Sequence, residues 1–363
     1  MECKKHEETS ADPGALLGTN SLYSGPAELF RISLRHEKHP HTQEARRVTL
    51  VTFGYEAMVP SNNARFFDSS EEARQQSTGW IAVSSRDEDP YLFNSRFDKS
   101  IIRHDGSYCS SVVDLQRSVQ VPTMAYFERL VLPHVDKPPR IVDIGCGQGG
   151  LVDALTQLGV QAVGYDPVLR REAAHLRKRY WNLEEPSADL YVMRCVLPHV
   201  QHPWDFLQGI AQSSPGALVL IEFQQIEWVM RHSIWYQLSH DHVNMFSIAD
   251  FTSRNRVIEQ GVFASEEWAW VLIDPGETSG YPPAPLNVNF VSNFLALRAS
   301  RDATITALSQ THEALAVCGA AGKGTVLSAA LQECCADVVA IDADPLRWAN
   351  IWSIQGSASY PQS

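Results

Sequence analysis

The stretch "RIVDIGCGQGGLVDALTQLGVQAVGYD", residues 140 to 166, constrains the fold more than any other part of the chain. A short apolar run is followed by a glycine cluster, then by apolar residues at helical spacing, then by a second apolar run closed by an acid. That order predicts a strand, a tight turn, a helix and a parallel strand. "DLYVMRCVL" and "GALVLIEF" continue it as third and fourth strands. The alternation predicts an α/β fold, a doubly wound parallel sheet with helices on both faces. Its ligand crevice is expected at the carboxyl ends of the strands.

The flanking regions read differently. Residues 1–20 are polar and read as a loosely held leader without the apolar core of a signal peptide. From 21 to about 95, strand-like runs such as "RRVTLVTFGY" and "GWIAVSS" alternate with polar turns, and a helix is expected over about 118–134, ahead of the "KPP" break. Near the C-terminus "LAVCGAAGKGTVLSAALQECCADVVAIDADP" repeats the strand, glycine loop, helix, strand, acid order. The resulting division is a leader at 1–20, an N-terminal module at 21–117, a central domain at 118–300 and a small α/β domain at 301–363.

Composition narrows the function classes. The 363 residues are 44% apolar with nine tryptophans, enough for sizeable cores. A net charge of -12 argues against a phosphate-tracking nucleic-acid binder. No apolar run approaches the roughly 18 residues that span a membrane. Cysteines at 3, 109, 146, 195, 318, 334 and 335 form no C-x-x-C pair. Reduced thiols and a cytoplasmic location are expected, with no thiolate metal site.

The glycine turn has two readings. Gly145, Gly147 and Gly150 satisfy G-x-G-x-x-G, and Asp166 follows at dinucleotide-site spacing, so an NAD-dependent oxidoreductase is formally open. Asp143, two residues before the first glycine, decides against it, because a carboxylate there repels a pyrophosphate. It suits a ligand bearing an ammonium and a sulfonium. Gly145, Gly147 and Gly149 allow close backbone approach, and Asp166 is placed to accept from ribose hydroxyls. An acid, G-x-G-x-G, and a second acid closing the next strand resemble class I methyltransferases. The resemblance implies a Rossmann-like fold and S-adenosylmethionine as cofactor, with S-adenosylhomocysteine as product. "LYVMRCVLPHV" resembles the fourth motif of these enzymes, which puts Arg194 and Cys195 beside the methionine end and His199 toward the substrate.

A narrower resemblance covers most of the chain. "VCGAAGKG" with "IDADP", Asp344 standing for the usual asparagine, is similar to the C-terminal domain of C-methyltransferases acting on nucleotide-linked keto-sugars. Lys323 in that loop is a candidate for binding a substrate anion. "LFNSRFDKSIIRHDGSY", ending at Tyr108, resembles the segment joining that family's zinc module to its catalytic domain, and makes Tyr108 a candidate substrate contact. The module's two C-x-x-C pairs are missing here, so a metal-free version is expected. His36, His39 and His41 read as a solvated loop.

"SHDHVNMFS" occupies the place where that family resembles Y-H-E-H…Y-F-S. His240, Asp241 and His242 take the H-E-H positions, Phe246-Ser247 the F-S, and Ser239 replaces the tyrosine. The resemblance implies proton removal next to a ketone. On that basis His242 is the expected base, Asp241 its partner, His240 a further member of the cluster, and His199 the donor to the enolate oxygen. Ser239 is a candidate substrate contact. A neutral imidazole suits the task at cellular pH. Methylation of oxygen or nitrogen on a biosynthetic intermediate stays open, as does a non-enzymatic binding protein built on a decayed transferase. Small-molecule partners and a monomer or homodimer complete the expectation, with no nucleic acid, membrane or metal.

Overall fold

A computed structural model describes residues 31–38, 45–61, 75, 77–86, 89–105, 132–134, 139–280, 288–319, 322–332 and 337–341. The leader, Tyr108, His39, His41, Asp344 and most of the expected 118–134 helix lie outside the described residues. Leu132–His134 forms one 3-10 turn.

The chain builds β1 (Arg31–Lys38), β2 (Ala45–Pro60), β3 (Thr78–Arg86) and β4 (Asp89–Asn94), then β5 (Arg140–Ile144) and α1 (Gly150–Gln157). Next come β6 (Gln161–Tyr165), β7 (Leu176–Arg177), β8 (Leu190–Arg194), α2 (Pro203–Ser213) and β9 (Leu218–Gln224). After them follow α3 (Ile226–Arg231), β10 (Asn244–Met245), α4 (Ile248–Thr252), β11 (Asn255–Phe263) and β12 (Trp268–Thr278). The C-terminal part adds α5 (Val288–Thr311), β13 (Ala314–Cys318), α6 (Lys323–Gln332) and β14 (Asp337–Ile341).

The central sheet has seven strands in the order β11-β12-β9-β8-β5-β6-β7. β5, β6, β7, β8 and β9 run parallel, while β12 is antiparallel to both β9 and β11. Consecutive apolar residues make the middle strands. Leu190 through Met193 and Val219 through Ile221 are all 0% exposed, as strands covered on both faces require. In α1, Leu151, Val152 and Leu155 fall on one face and are buried against the sheet. The strand order reverses between β5 and β8, so the crevice opens at their carboxyl ends, as expected.

In "IADFTSRNRV" the helix ends at Thr252, because Asn255–Phe263 is drawn into a hairpin with β12. Two sequence expectations change here. The N-terminal strands do not close on themselves. Their five-stranded antiparallel sheet, β1-β2-β3-β4-β10, takes its last strand from the histidine segment, with Asn244 opposite Phe93 and Met245 opposite Leu92. Finally, α5 runs unbroken through residue 300, so a domain boundary there would cut a helix.

β13 and β14 pair in parallel around α6, which matches the repeated strand–helix–strand order. Val317, Val326, Leu331 and Val338 from this unit share one apolar cluster with Ile81, Leu92, Trp235 and Met245. Each such fully buried side chain contributes about 1.5–3 kcal/mol, which fastens the two ends of the chain to the same core. Among the described residues no helix is long and apolar enough to cross a membrane.

Candidate active site

The first glycine turn is held from below by backbone bonds. Gly145 and Cys146 both donate to the Tyr165 carbonyl, at 2.8 and 3.1 Å. Gly145, Gly147 and Gly149 have φ of 70, 57 and 83°, which side chains bearing a Cβ rarely adopt. A Cβ on Gly145 would sit 2.4 Å from the Val196 side chain, so the loop also presses against the segment leaving β8. Asp166 closes the turn: one carboxylate oxygen accepts from Gly147 N–H and the other from Val168 N–H, each at 2.9 Å. Its lone pairs beyond those bonds remain for a ribose.

Asp143 is the outlier. It is 1% exposed and neither carboxylate oxygen has a hydrogen-bond partner. Burial pushes its pKa up to about 6; Arg194 draws it down and Asp166 adds to the rise. Arg194, at the end of β8, also has its buried Nε without a partner. A buried carboxylate without a donor is costly, and a ligand ammonium would relieve it. That orphaned acid, beside a second acid and three glycines, fits the cationic methionine end of S-adenosylmethionine and is inhospitable to a pyrophosphate. Asp143, Arg194, the glycines and Asp166 are thus brought together as expected.

Cys195 follows Arg194 with φ of 58°, a left-handed conformation unusual for a side chain with a Cβ. Its N–H donates to the Glu222 carbonyl at 2.9 Å, and burial pushes its thiol up to about 11. The chain then makes a 3-10 turn at Leu197–His199, which delivers His199 to the crevice.

His199 and His242 meet there, with ring centroids 4.8 Å apart. His199 Nδ1 lies 2.7 Å from the backbone carbonyl oxygen of Asp241. A carbonyl only accepts, so Nδ1 carries the proton and Nε2 of the neutral ring is a bare lone pair. Burial and the nearby His199 lower His242 to about 4, against the opposing pull of Asp241 and a Gln237 backbone hydrogen bond. His242 is therefore uncharged at neutral pH. To act as the enolate donor expected from the sequence, His199 would have to carry a second proton, at Nε2.

Asp241 is 5% exposed and its Oδ1 has no partner. It acts on His242 through its charge and on His199 through its backbone carbonyl. Ser239, 1% exposed, likewise has a hydroxyl without a partner.

Two expected site residues belong elsewhere. His240 is 0% exposed; its Nδ1 donates to the Trp80 carbonyl at 2.7 Å and its Nε2 accepts from Asp98 N–H at 3.1 Å. The ring stacks on Phe97, in space left by Gly79, where a Cβ would come within 2.2 Å of it. His240 is a structural tie between the histidine segment and the N-terminal sheet. Lys323 does not face an open anion seat. Its ammonium is paired with Glu267 and lies 5.3 Å from the centroid of the Trp228 ring.

Sequence reasoning missed four residues. His104 and Tyr180 are joined by a 3.0 Å hydrogen bond. His104 is held below the usual imidazole range, chiefly by burial and then by His199, while Tyr180 is raised by burial and by Asp166. Asn244 and Gln237 line a small cavity next to His242, shared with Cys195, Gln224 and Trp268. None stands in a spacing that announces chemistry; only the β10 pairing and the 3-10 turn at Trp235–Gln237 bring the last two there.

Residues 116–256 match a family model described as a methyltransferase domain. None of the curated proteins compared matches the chain. Among solved structures, a SAM-dependent methyltransferase from Archaeoglobus fulgidus is 10% identical, over 44% of this chain and 97% of its own, with a TM-score of 0.35. Magnesium protoporphyrin IX methyltransferase from Synechocystis PCC 6803, solved with bound SAH, is 14% identical over 44% of this chain and 82% of its own, at 0.32. CalO1, a methyltransferase in calicheamicin biosynthesis solved in its SAH-bound form, is 18% identical over 45% of this chain and 57% of its own, at 0.32.

Proposed function

We propose that this S-adenosylmethionine-dependent methyltransferase, class I in fold, methylates a small biosynthetic intermediate at an oxygen or nitrogen that first yields its proton to His242 or His199. The observation that carries this is the imidazole pair, with His199 pinned at Nδ1 to the Asp241 carbonyl and its ring 4.8 Å from an uncharged His242. The uncharged His242 ring has one nitrogen lone pair able to take a proton. When bound, the cofactor supplies a methyl group made electrophilic by its sulfonium.

Asp143 and Arg194 then hold the charged methionine end, Asp166 the ribose, and the glycine turn keeps the backbone out of the way. His242 takes the acceptor's proton first; transfer would then form the bond from the acceptor atom to the methyl carbon and break the methyl carbon's bond to sulfur. Asp241, buried beside the ring, favours the imidazolium that results. The proton leaves to water afterwards, so one proton is released per methyl transferred.

A second reading is methylation of a carbon next to a ketone, on a nucleotide-linked sugar or a similar compound. The partnerless hydroxyl of buried Ser239 favours it, because an enolate oxygen needs a donor. The two readings are separated by incubating the protein and candidate acceptors with carbon-13 methyl-labelled cofactor and locating the product methyl by NMR. A methyl on oxygen or nitrogen supports the first reading, and one on carbon the second. Undiminished transfer by a His199→Gln/His242→Gln double variant would sink both.

A further inference from the structure

The cavity beside His242 is lined by Cys195, Gln224, Gln237, Asn244, Met245 and Trp268 among others, and its apolar wall comes from Ile226, Val229 and Leu238. Asn244 is 2% exposed, and its Nδ2 donates to the carbonyls of Val200 at 2.6 Å and Leu197 at 3.4 Å. Those two bonds fix the amide's orientation, since the reverse placement would face oxygen to two carbonyl oxygens. Its Oδ1 is therefore a true acceptor, buried and without a partner; Oε1 of Gln237 is likewise buried without a partner.

We propose that this cavity seats the reacting head of the acceptor, and that it takes a small head without negative charge whose N–H or O–H donors are read by Asn244 and Gln237. The inference rests on the reading above that the acceptor gives up a proton beside His242, and it names what that acceptor carries. No lysine or arginine lines the cavity, so a carboxylate or phosphate head would be buried without a counter-charge. The cavity volume is about 40 Å³. One water needs about 10–15 Å³ of such space, so the cavity holds a few heavy atoms and the body of the substrate lies outside. Any phosphate on the molecule must then sit beyond the pocket. Asn244, Gln237 and His242 border one volume, so a head donating to the amides lies beside the base that takes its remaining proton.

The test uses the full chain, nitrogen-15 labelled, with and without S-adenosylhomocysteine. Formamide, methylammonium and acetate are titrated separately, and the side-chain amide resonances of Asn244 and Gln237 are followed. Formamide is expected to give saturable shifts, with acetate at least about tenfold weaker because its charge is unpaired in the cavity. Asn244→Asp should turn the preference toward methylammonium by about tenfold, the size of one charge-assisted hydrogen bond over a neutral one. Gln237→Met, with folding checked by its unfolding midpoint, should weaken formamide several-fold. Acetate binding as tightly as formamide, or formamide shifts unchanged in both variants, would overturn the proposal. Failure of the wild type to bind S-adenosylhomocysteine would instead count against the cofactor site, and the formamide comparison would stand on its own.

Discussion

Replacing Asp143 by asparagine should make the cofactor-free protein more stable and a poorer binder at once. In the free protein the Asp143 carboxylate is 1% exposed with no donor on either oxygen, and burial lifts its pKa from 3.8 to about 6. At neutral pH the ionised form then costs about 3 kcal/mol, at about 1.4 kcal/mol for each tenfold change in proton affinity. The unfolded chain ionises first, so between about pH 4 and 6 it holds fewer protons than the folded one and stability falls as pH rises. Asparagine removes the charge but leaves a buried amide without partners, worth about 1–2 kcal/mol in the other direction. A net gain of about 1–2 kcal/mol is expected at pH 7 in urea unfolding, turning into a net loss of about 0.5–1.5 kcal/mol at pH 4, where the folded carboxyl is already protonated and only the amide penalty remains. Calorimetric titration should show S-adenosylhomocysteine binding weakened about 10- to 100-fold, the loss of a charge-assisted hydrogen bond. In the wild type the ligand ammonium favours the ionised acid, so affinity should climb with pH up to about 6 and then level off. A variant that loses stability at pH 7 while binding the ligand normally would refute the assignment of Asp143 to the cation.

Other perturbations separate chemistry from structure. His242→Gln should lower kcat by about 10²–10⁴ while leaving S-adenosylhomocysteine binding within about twofold, since it removes a base and not a cofactor contact. Because burial holds His242 near 4, its stability contribution is fully present above its ordinary 6.5 and is lost as pH falls toward 4, which an acid unfolding series reads directly. Gly79→Ala forces a Cβ to within 2.2 Å of the His240 ring, so a folding stability lower by about 1–3 kcal/mol is expected in urea unfolding, as for an overpacked core site. Tyr180→Phe removes the hydrogen bond to His104 and keeps the ring; stopped-flow dissociation of S-adenosylhomocysteine should quicken about two- to fivefold, as befits one partly exposed bond.

The central sheet was legible because its signals are local. "RIVDIG" and "LYVMRCVL" carry their burial in unbroken apolar runs, and the three glycines supply the positive φ values the turn needs. The acids of the cofactor site were legible for the same reason, both lying within two residues of a strand end. The histidine segment was only half readable. His240 looks like its neighbours in sequence, yet its ring is committed to Trp80, 160 residues earlier, and to Asp98, 142 residues earlier. Lys323 looked free beside its glycines until Glu267, in the turn between β11 and β12, paired with its charge. β11 went unread because each of its residues stays partly exposed and only pairing defines it; Asn255–Phe263 has no fully buried residue. The polarity of the acceptor pocket was hidden as well. It is set by the bonds from Asn244 to Leu197 and Val200, which join two segments that no spacing relates.

The imidazole pair is the heart of the proposed chemistry, and long-range nitrogen-15 NMR of the histidine rings at neutral pH tests it most directly. The expected spectrum shows His199 protonated at Nδ1 with a bare Nε2, and His242 uncharged with one bare nitrogen. A doubly protonated ring at His242, or a His199 protonated at Nε2, would contradict the assignment of the pair as the base.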